Sequence, residues 1–479
     1  MDQRALKDLA INGLTAESRA VQPGFLFAAL PGAKQDGRSY INEAVKRGAT
    51  AVLAPPGTDL GPGRLEAKNK PVRLITDSNP RRRFALMAAR FFGAQPDTIA
   101  AVTGTNGKTS VAHFTRQIWA QLGFKAGYLG TLGAFAPGMT IDGSLTTPDP
   151  AKLHTLLADM AAHGVTHLAM EASSHGLHQF RVDGVKIAIA GFTNMTRDHL
   201  DYHGSMAAYL AAKLRLFSDV MQEGGIAVLN ADSSEFAAFE IACHLRGHRV
   251  LSYGKAGTAL KLVNATIDGD SQILDLIVME KTYRVRLPLA GTFQVSNALC
   301  ALGFALAGGA DPAAAVAALE HLEGVPGRLQ RAGIKINGAP IYVDYAHTPD
   351  ALETVLNALR PHATRKLAVV FGCGGDRDRG KRRLMGEIAA RVADVAYVTD
   401  DNPRTEVAAA IRAEVMQGCP GATEIADRAE AIATAIQNLA PGDVLLVAGK
   451  GHETGQIVGT TVTPFNDVEV VRGLVGAKA

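Results

Sequence analysis

Thr103-Gly104-Thr105-Asn106-Gly107-Lys108-Thr109-Ser110 decides how the rest of the chain is read. An apolar run, Ile99–Thr103, precedes it. Apolar residues at Val111, Phe114, Ile118, Trp119 and Leu122 follow at helical spacing. Strand, glycine loop and helix in that order make a phosphate-binding loop. The glycines let backbone N–H groups close around phosphate oxygens, and the helix N-terminus adds a favourable dipole. Lys108 is placed to reach the β- and γ-phosphates of a nucleotide, and the Thr109 hydroxyl to ligate Mg²⁺. Gly104, Thr105, Asn106, Gly107, Lys108, Thr109 and Ser110 are therefore the candidate ATP contacts. The generic loop carries a glycine five residues before Gly107, where this chain has Val102.

Outward from the loop, βα signals recur. His167–Met170, Lys186–Gly191 and Ile226–Asn230 read as buried strands. Between Leu260 and Leu289 an alternating pattern marks a hairpin, and Gln294–Ala307 reads as a helix. Ile341–Asp344, Leu367–Phe371, Val395–Thr399 and Val444–Ala448 predict a second parallel sheet of dinucleotide-fold type. Residues before about 90 mix short apolar runs with turns, with helices expected at Tyr40–Arg47 and Arg81–Phe92. The expected organisation is α/β in three domains: 1–92, a central P-loop domain at 93–327, and a C-terminal Rossmann-like domain at 328–479. A chain of 479 residues accommodates this, at roughly 100–200 residues per domain.

Composition narrows the function class. The chain has 49 basic and 46 acidic residues, a net charge of +3. That balance gives no nucleic-acid footprint. The Arg81-Arg82-Arg83 cluster reads as a solvated helix face. Cys243, Cys300, Cys373 and Cys419 form no CxxC pair, so neither zinc nor a disulfide framework is expected. The stretch 1–10 has no signal-peptide core, and no apolar run approaches the ~18 residues of a membrane span. A cytoplasmic location is the expectation.

Further motifs accompany the loop: Glu171-Ala-Ser-Ser-His-Gly-Leu177, Asn194-Met-Thr-Arg-Asp-His-Leu-Asp-Tyr-His-Gly204 and Asp344-Tyr-Ala-His-Thr-Pro-Asp350. Three more are Gly372-Cys-Gly-Gly-Asp-Arg-Asp-Arg-Gly380, Asp401-Asn-Pro-Arg404 and Gly449-Lys-Gly-His-Glu453. Together they resemble the Mur ligase family, in its branch that adds the third amino acid of the peptide. The resemblance implies three domains, for a UDP-sugar, for ATP and for the incoming amino acid. It also implies a reaction in peptidoglycan precursor synthesis. ATP phosphorylates the γ-carboxylate of D-glutamate in UDP-N-acetylmuramoyl-L-alanyl-D-glutamate, an amine attacks the acyl phosphate, and phosphate leaves. A monomer is the family default.

The same resemblance assigns roles residue by residue. Thr109 and Glu171 match Mg²⁺ ligands. His203 lies near a second metal, and Lys213, in the predicted helix Ala207–Phe217, matches a carbamylated lysine that helps hold Mg²⁺. Lys108, Lys213 and His203 are the catalytic candidates. His199, Asp201 and His203 could form a transition-metal cluster, but phosphate chemistry favours oxygen ligands and Mg²⁺. Ser18, Lys34, Gln35, Thr146, Thr147, Ser173, Gln179 and Arg181 match positions that hold the UDP-sugar peptide. Asn297, Arg328 and Asp344 match ATP-side positions, with His347 in the same loop. Arg377, Asp401, Asn402, Pro403, Arg404, Gly449 and Glu453 match contacts to the amino acid. meso-Diaminopimelate carries an amino–carboxylate centre at its far end, whereas lysine ends in a bare amine. Arg404 offers a planar fork to that carboxylate, and Glu453 faces the distal ammonium. Diaminopimelate is thus expected over lysine. A lysine-adding or folate-type ligase is the alternative within the class, and a P-loop ATPase driving motion or assembly is the alternative outside it.

Overall fold

The computed structural model describes residues 11–32, 35–60, 66–67, 70–143 and 145–476. The stretch 1–10 and Lys34 lie outside them. The chain divides into two compact units, Met1–Ser252 with Gly303–Ala310, and Tyr253–Leu302 with Asp311–Ala479.

The first unit opens with a parallel sheet in the order Gly13–Thr15, Phe25–Ala28, Ala51–Ala54, Arg73–Thr76. Side chains of a strand alternate between faces. Phe27 accordingly joins one apolar cluster with Ile41 and Val45, while Leu26 and Ala28 join another with Phe84 and Met87. Phe84 and Met87 belong to helix Pro80–Phe92, which starts on an Asn79 cap with Pro80 in its first turn and stops at Gly93 (φ 73°). The helix expected at Tyr40–Arg47 is shorter, Ile41–Lys46, because Asp36 caps a 3₁₀ turn at Gly37–Tyr40 first. The arginine cluster is only partly a solvated face. Arg81 donates to the Pro31 carbonyl, and Arg82 to the buried Asp183 at 3.0 Å.

The same unit then builds a larger sheet around the phosphate loop. Its first seven strands run in the order Met139–Asp142, Gly133–Ala136, Ala126–Gly130, His167–Glu171, Thr98–Thr103, Ile187–Phe192, Ile226–Asn230. The last five are parallel, and the first two add on antiparallel. Ile99 to Val102 are all fully buried, as both faces of a parallel sheet require. From Thr98–Thr103 the chain moves to one side and later crosses to the other with Ile187–Phe192. The carboxyl end of Thr98–Thr103 is therefore a topological switch point, where such sheets bind ligands.

In the second unit, Leu260–Asp268, Ser271–Val278 and Lys281–Leu287 form an antiparallel meander, one strand more than the expected hairpin. A six-stranded sheet follows in the order Gln330–Ile334, Pro340–Asp344, Val444–Ala448, Leu367–Phe371, Val395–Val398, Thr423–Glu424. Only its first pairing is antiparallel. Val369 faces a cluster with Leu356 and Met385, and Val370 one with Ile432 and Val471, so helices cover both faces. The expected strands are present to within a residue, and the motif loops leave their carboxyl ends. All four cysteines are free and buried. Burial pushes the thiols of Cys243, Cys300 and Cys373 up to about 12 and that of Cys419 to about 11. Among the described residues no helix is long and apolar enough to cross a membrane.

Candidate functional site

The first glycine of the phosphate loop, Gly104, comes two residues later than in the generic motif because Val102 is still a strand residue, paired with Glu171 on one side and Gly191 on the other. Gly104 has φ 152°, and a Cβ there would lie 1.9 Å from the Thr193 hydroxyl. Gly107, at φ 88°, is the N-cap of helix Lys108–Gln121. The loop is tied down by Asn194, whose side-chain oxygen accepts from the Asn106 N–H at 3.0 Å and whose carbonyl accepts from the Thr105 N–H at 2.9 Å. The Lys108 ammonium donates to the carbonyls of Gly104 (3.0 Å) and Thr105 (2.8 Å).

Glu171 ends the neighbouring strand and is fully buried. One carboxylate oxygen accepts from the Tyr128 hydroxyl (2.7 Å) and the Thr131 N–H (2.8 Å). The other accepts from the hydroxyls of Thr109 (3.1 Å) and Thr131 (3.2 Å). All four of these donors are neutral. Four neutral donors offset its desolvation, and the charge is left for a ligand to meet. Carboxylate and hydroxyl oxygens are the hard donors that Mg²⁺ takes, so Thr109 and Glu171 fit that ion.

Lys213 lies on helix Met206–Arg215, which Ser205 caps and a π-turn, Leu216–Val220, extends. Its side chain is almost wholly buried, donates to the Gly104 carbonyl at 2.7 Å and sits 4.3 Å over the Tyr209 ring. Burial above all, with Lys108 adding to it, holds the amine well below the usual lysine range. His203 bonds the Ser174 hydroxyl at 3.0 Å. Burial, reinforced by His175, His178, His199 and Lys213, lowers it to about 4, so the ring is neutral at pH 7. His199 pairs with Asp198 at 3.4 Å. Among the described residues no three His, Cys, Asp or Glu side chains gather as a metal-holding group.

The sugar-peptide candidates form one hydrogen-bonded run. Thr146 meets the Thr131 hydroxyl at 2.9 Å. Thr147 donates to the Glu171 carbonyl and accepts from the Ser173 N–H at 3.0 Å. Arg181 donates to the Thr147 carbonyl (2.7 Å) and forks onto Gln179, which donates to the Tyr202 hydroxyl at 2.9 Å. Ser18 and Gln35 stand apart from this run. Ser18 donates to Glu43 at 3.2 Å, and Gln35 accepts from Tyr40 at 2.8 Å.

In the second unit, Asn297 donates to Gln294 (2.9 Å), which reaches the Arg328 carbonyl at 3.4 Å. Asp344 accepts from the N–H groups of Leu329 (2.6 Å) and Ala346 (2.8 Å), and burial raises its carboxyl to about 6. The Arg328 guanidinium lies 5.0 Å from the Tyr345 ring centre. Asn297, Arg328 and Asp344 are thus brought together. Gly449 (φ 118°) donates to the Asp344 carbonyl, and a Cβ on it would meet the Asp401 carboxylate at 2.5 Å.

Arg404 sits in left-handed backbone at φ 52°. Its N–H and carbonyl bond Ile457 (3.1 Å) and Gly459 (2.7 Å), and its guanidinium donates to the Gly375 carbonyl at 2.8 Å. A Cβ on Gly375 would lie 1.9 Å from the Pro403 carbonyl oxygen, so this loop contact demands glycine. Asp376 and Thr405 bond each other, and Glu406 collects the Asp376 N–H, Arg379 and the buried Arg382. Those contacts, led by Arg382, hold the Glu406 carboxyl down to about 2. Asn402 donates to Glu453 at 2.9 Å. Arg377 is exposed.

Comparison with known proteins decides the family. The description "Mur ligase family, catalytic domain" matches residues 10–92, "Mur ligase middle domain" residues 102–305, and "Mur ligase, glutamate ligase domain" residues 327–451. The chain belongs to the Mur ligase family. Two curated relatives, from Bradyrhizobium diazoefficiens and Caulobacter vibrioides, are both named UDP-N-acetylmuramoyl-L-alanyl-D-glutamate--2,6-diaminopimelate ligase. Each is 53% identical, covering 99% and 98% of this chain and 96% and 97% of their own. A solved structure of an enzyme with that name is 34% identical, with TM-score 0.73, covering 98% of this chain and 95% of its own. Folylpolyglutamate synthase from Mycobacterium tuberculosis complexed with ADP, at 20% identity and TM-score 0.62 over 78% of this chain and 92% of its own, shares the fold.

For a Mur ligase, sequence reading overlooked several contributors. Tyr128 and Thr131 complete the cage around Glu171, and Tyr202 anchors Gln179. Tyr128 and Thr131 lie outside every motif, Tyr202 sits inside one without marking itself, and single Tyr and Thr residues give no signal. Phe180, His199, Leu329, Asp376 and Arg404 all have positive φ, and each adjoins or is a candidate residue. Such strain clusters at functional loops, yet non-glycine side chains conceal it.

Proposed function

We propose that this chain is an ATP-dependent ligase that joins meso-2,6-diaminopimelate to the γ-carboxylate of D-glutamate in UDP-N-acetylmuramoyl-L-alanyl-D-glutamate. The observation that carries the reading is the end-to-end likeness, at 53% identity, to relatives named for that reaction. A γ-carboxylate oxygen attacks the γ-phosphorus of ATP, and ADP departs. The diaminopimelate amine then attacks the acyl carbon, loses its proton and expels phosphate. Gly104 to Ser110 cradle the phosphates with backbone N–H groups, and the Lys108 ammonium leaves its loop carbonyls to meet the β- and γ-oxygens. Mg²⁺, when bound, supplies charge neutralisation at the transferring phosphoryl group. Thr109 and Glu171 would hold it, and a carbamylated Lys213 and His203 would assist. The free amine is the nucleophile that CO₂ requires, and burial, by lowering the lysine's pKa, favours that form; Lys213 then becomes a carbamate, with N–C bond formation and loss of one proton. Asn297, Arg328 and Asp344 serve the nucleotide. Ser18, Lys34, Gln35 and the run from Thr146 to Arg181 serve the sugar peptide. Arg377, Asp401 to Arg404, Gly449 and Glu453 receive the amino acid. The functional division follows 1–92, 93–327 and 328–479.

The deciding experiment gives purified protein ATP, Mg²⁺ and the UDP-linked dipeptide, with meso-diaminopimelate or L-lysine in separate reactions. Tripeptide product with diaminopimelate and little with lysine is expected. Equal or better turnover with lysine refutes the substrate assignment, and phosphate release without any amino acid refutes the ligase.

A further inference from the structure

Lys450 lies in the glycine-rich turn after strand Val444–Ala448, where a lysine would ordinarily project into solvent. Instead its side chain is fully buried. An ammonium carries three donors and no acceptor, and each donor has a partner: the Asn402 side-chain oxygen at 3.1 Å, Glu453 Oε2 at 2.9 Å and the Gly455 carbonyl at 2.7 Å. A buried charge persists only when paired and hydrogen-bonded in this way.

The consequence falls on two neighbours. The Asn402 side-chain oxygen also accepts from the Ile457 N–H at 2.9 Å. With two donors on one side, the amide has a single workable orientation, oxygen toward Lys450 and Ile457. Its nitrogen is thereby turned to Glu453 Oε2, at 2.9 Å. Glu453 is anchored twice through the same oxygen, which leaves Oε1 for a ligand's ammonium. A methionine at position 450 would fill similar space with no donor, leaving the Asn402 oxygen one donor instead of two and removing one anchor from the carboxylate.

We propose that Lys450 is a positioning residue for the amino-acid substrate: it fixes Asn402 and Glu453 in the arrangement that receives the distal amino–carboxylate centre. This rests on the reading above that those two residues meet diaminopimelate.

The test uses the full chain and a double-mutant cycle of Lys450→Met and Glu453→Gln. Lys450→Met should raise the KM for meso-diaminopimelate at least about tenfold, with the KM for ATP within about twofold, as expected when an interaction with one substrate is lost. The double variant should be no worse than the poorer single one, because coupled residues are not additive. Additive effects, or equal rises in both KM values, overturn the proposal. If Lys450→Met does not fold, Lys450→Gln is read by the same KM ratio; failure of both to fold assigns Lys450 to stability and also overturns it. Should the unaltered protein use lysine, the substrate reading fails by itself, and the KM split measured with lysine still judges Lys450.

Discussion

At the end of strand His167–Glu171, a buried carboxylate is held by two hydroxyl-bearing threonines, a tyrosine and one backbone N–H. Beyond the end of Val444–Ala448, a buried ammonium is held by a carboxylate, an amide and a carbonyl. The first site keeps a net charge and satisfies only its hydrogen bonds. The second neutralises itself. A site left charged is built to be completed by what it binds, whereas a self-neutralised site sets shape and reads its ligand's outline. In the function proposed above, the former handles phosphate and metal, and the latter discriminates between amino acids.

That contrast can be broken at its charged end first. Lys108→Ala should lower kcat/KM by about a thousandfold, the scale on which a preorganised donor to developing charge acts; a loss under about tenfold, measured as phosphate release on folded protein, would contradict the loop's assignment. Lys213→Ala should cost about a hundredfold in kcat. Intact mass of unaltered protein kept in bicarbonate should show an added carboxyl group on Lys213, and its absence in fully active enzyme would remove the carbamate. The shape-reading end predicts a different signature. Arg404→Ala should raise the KM for meso-diaminopimelate at least about tenfold while sparing that for ATP, the mark of lost binding to one substrate; an unchanged KM would dissociate Arg404 from recognition.

The smallest effect concerns Asp344. Its folded carboxyl titrates near 6, above the ordinary ~3.9 of an aspartate. The native state therefore binds the extra proton between these values, so this group's contribution is fully present below about 4 and fades as pH rises through 6. Asp344→Asn should flatten the thermal-stability slope across that window, and an unaltered slope would place its origin elsewhere.

The sequence disclosed these two sites unequally. Loop, lysine and hydroxyl are contiguous between Gly104 and Thr109, so spacing alone reads them. The cage round Glu171 draws on Tyr128 and Thr131, about forty residues away along the chain, joined only by parallel pairing across the sheet. Lys213 occupies a helix whose periodicity does not say that one lysine turns inward, and resemblance alone singled it out. In the sequence Gly374-Gly375 is only part of the Gly372–Gly380 motif. The structure shows that the pair exists because Arg404 and the Pro403 carbonyl press against it. The strands were legible because continuous apolar runs leave no other choice, whereas the 3₁₀ turn before Ile41 depends on its local Asp36 cap.

The four cysteines give the molecule a reporter of its own opening. Thiol reagents attack thiolates at a surface, and here each sulfur is enclosed and stays protonated at physiological pH. Labelling of intact protein then proceeds only through transient exposure. Cys243 belongs to the first unit and Cys300, Cys373 and Cys419 to the second. Peptide-resolved alkylation rates would clock the breathing of each half separately, with no foreign probe introduced.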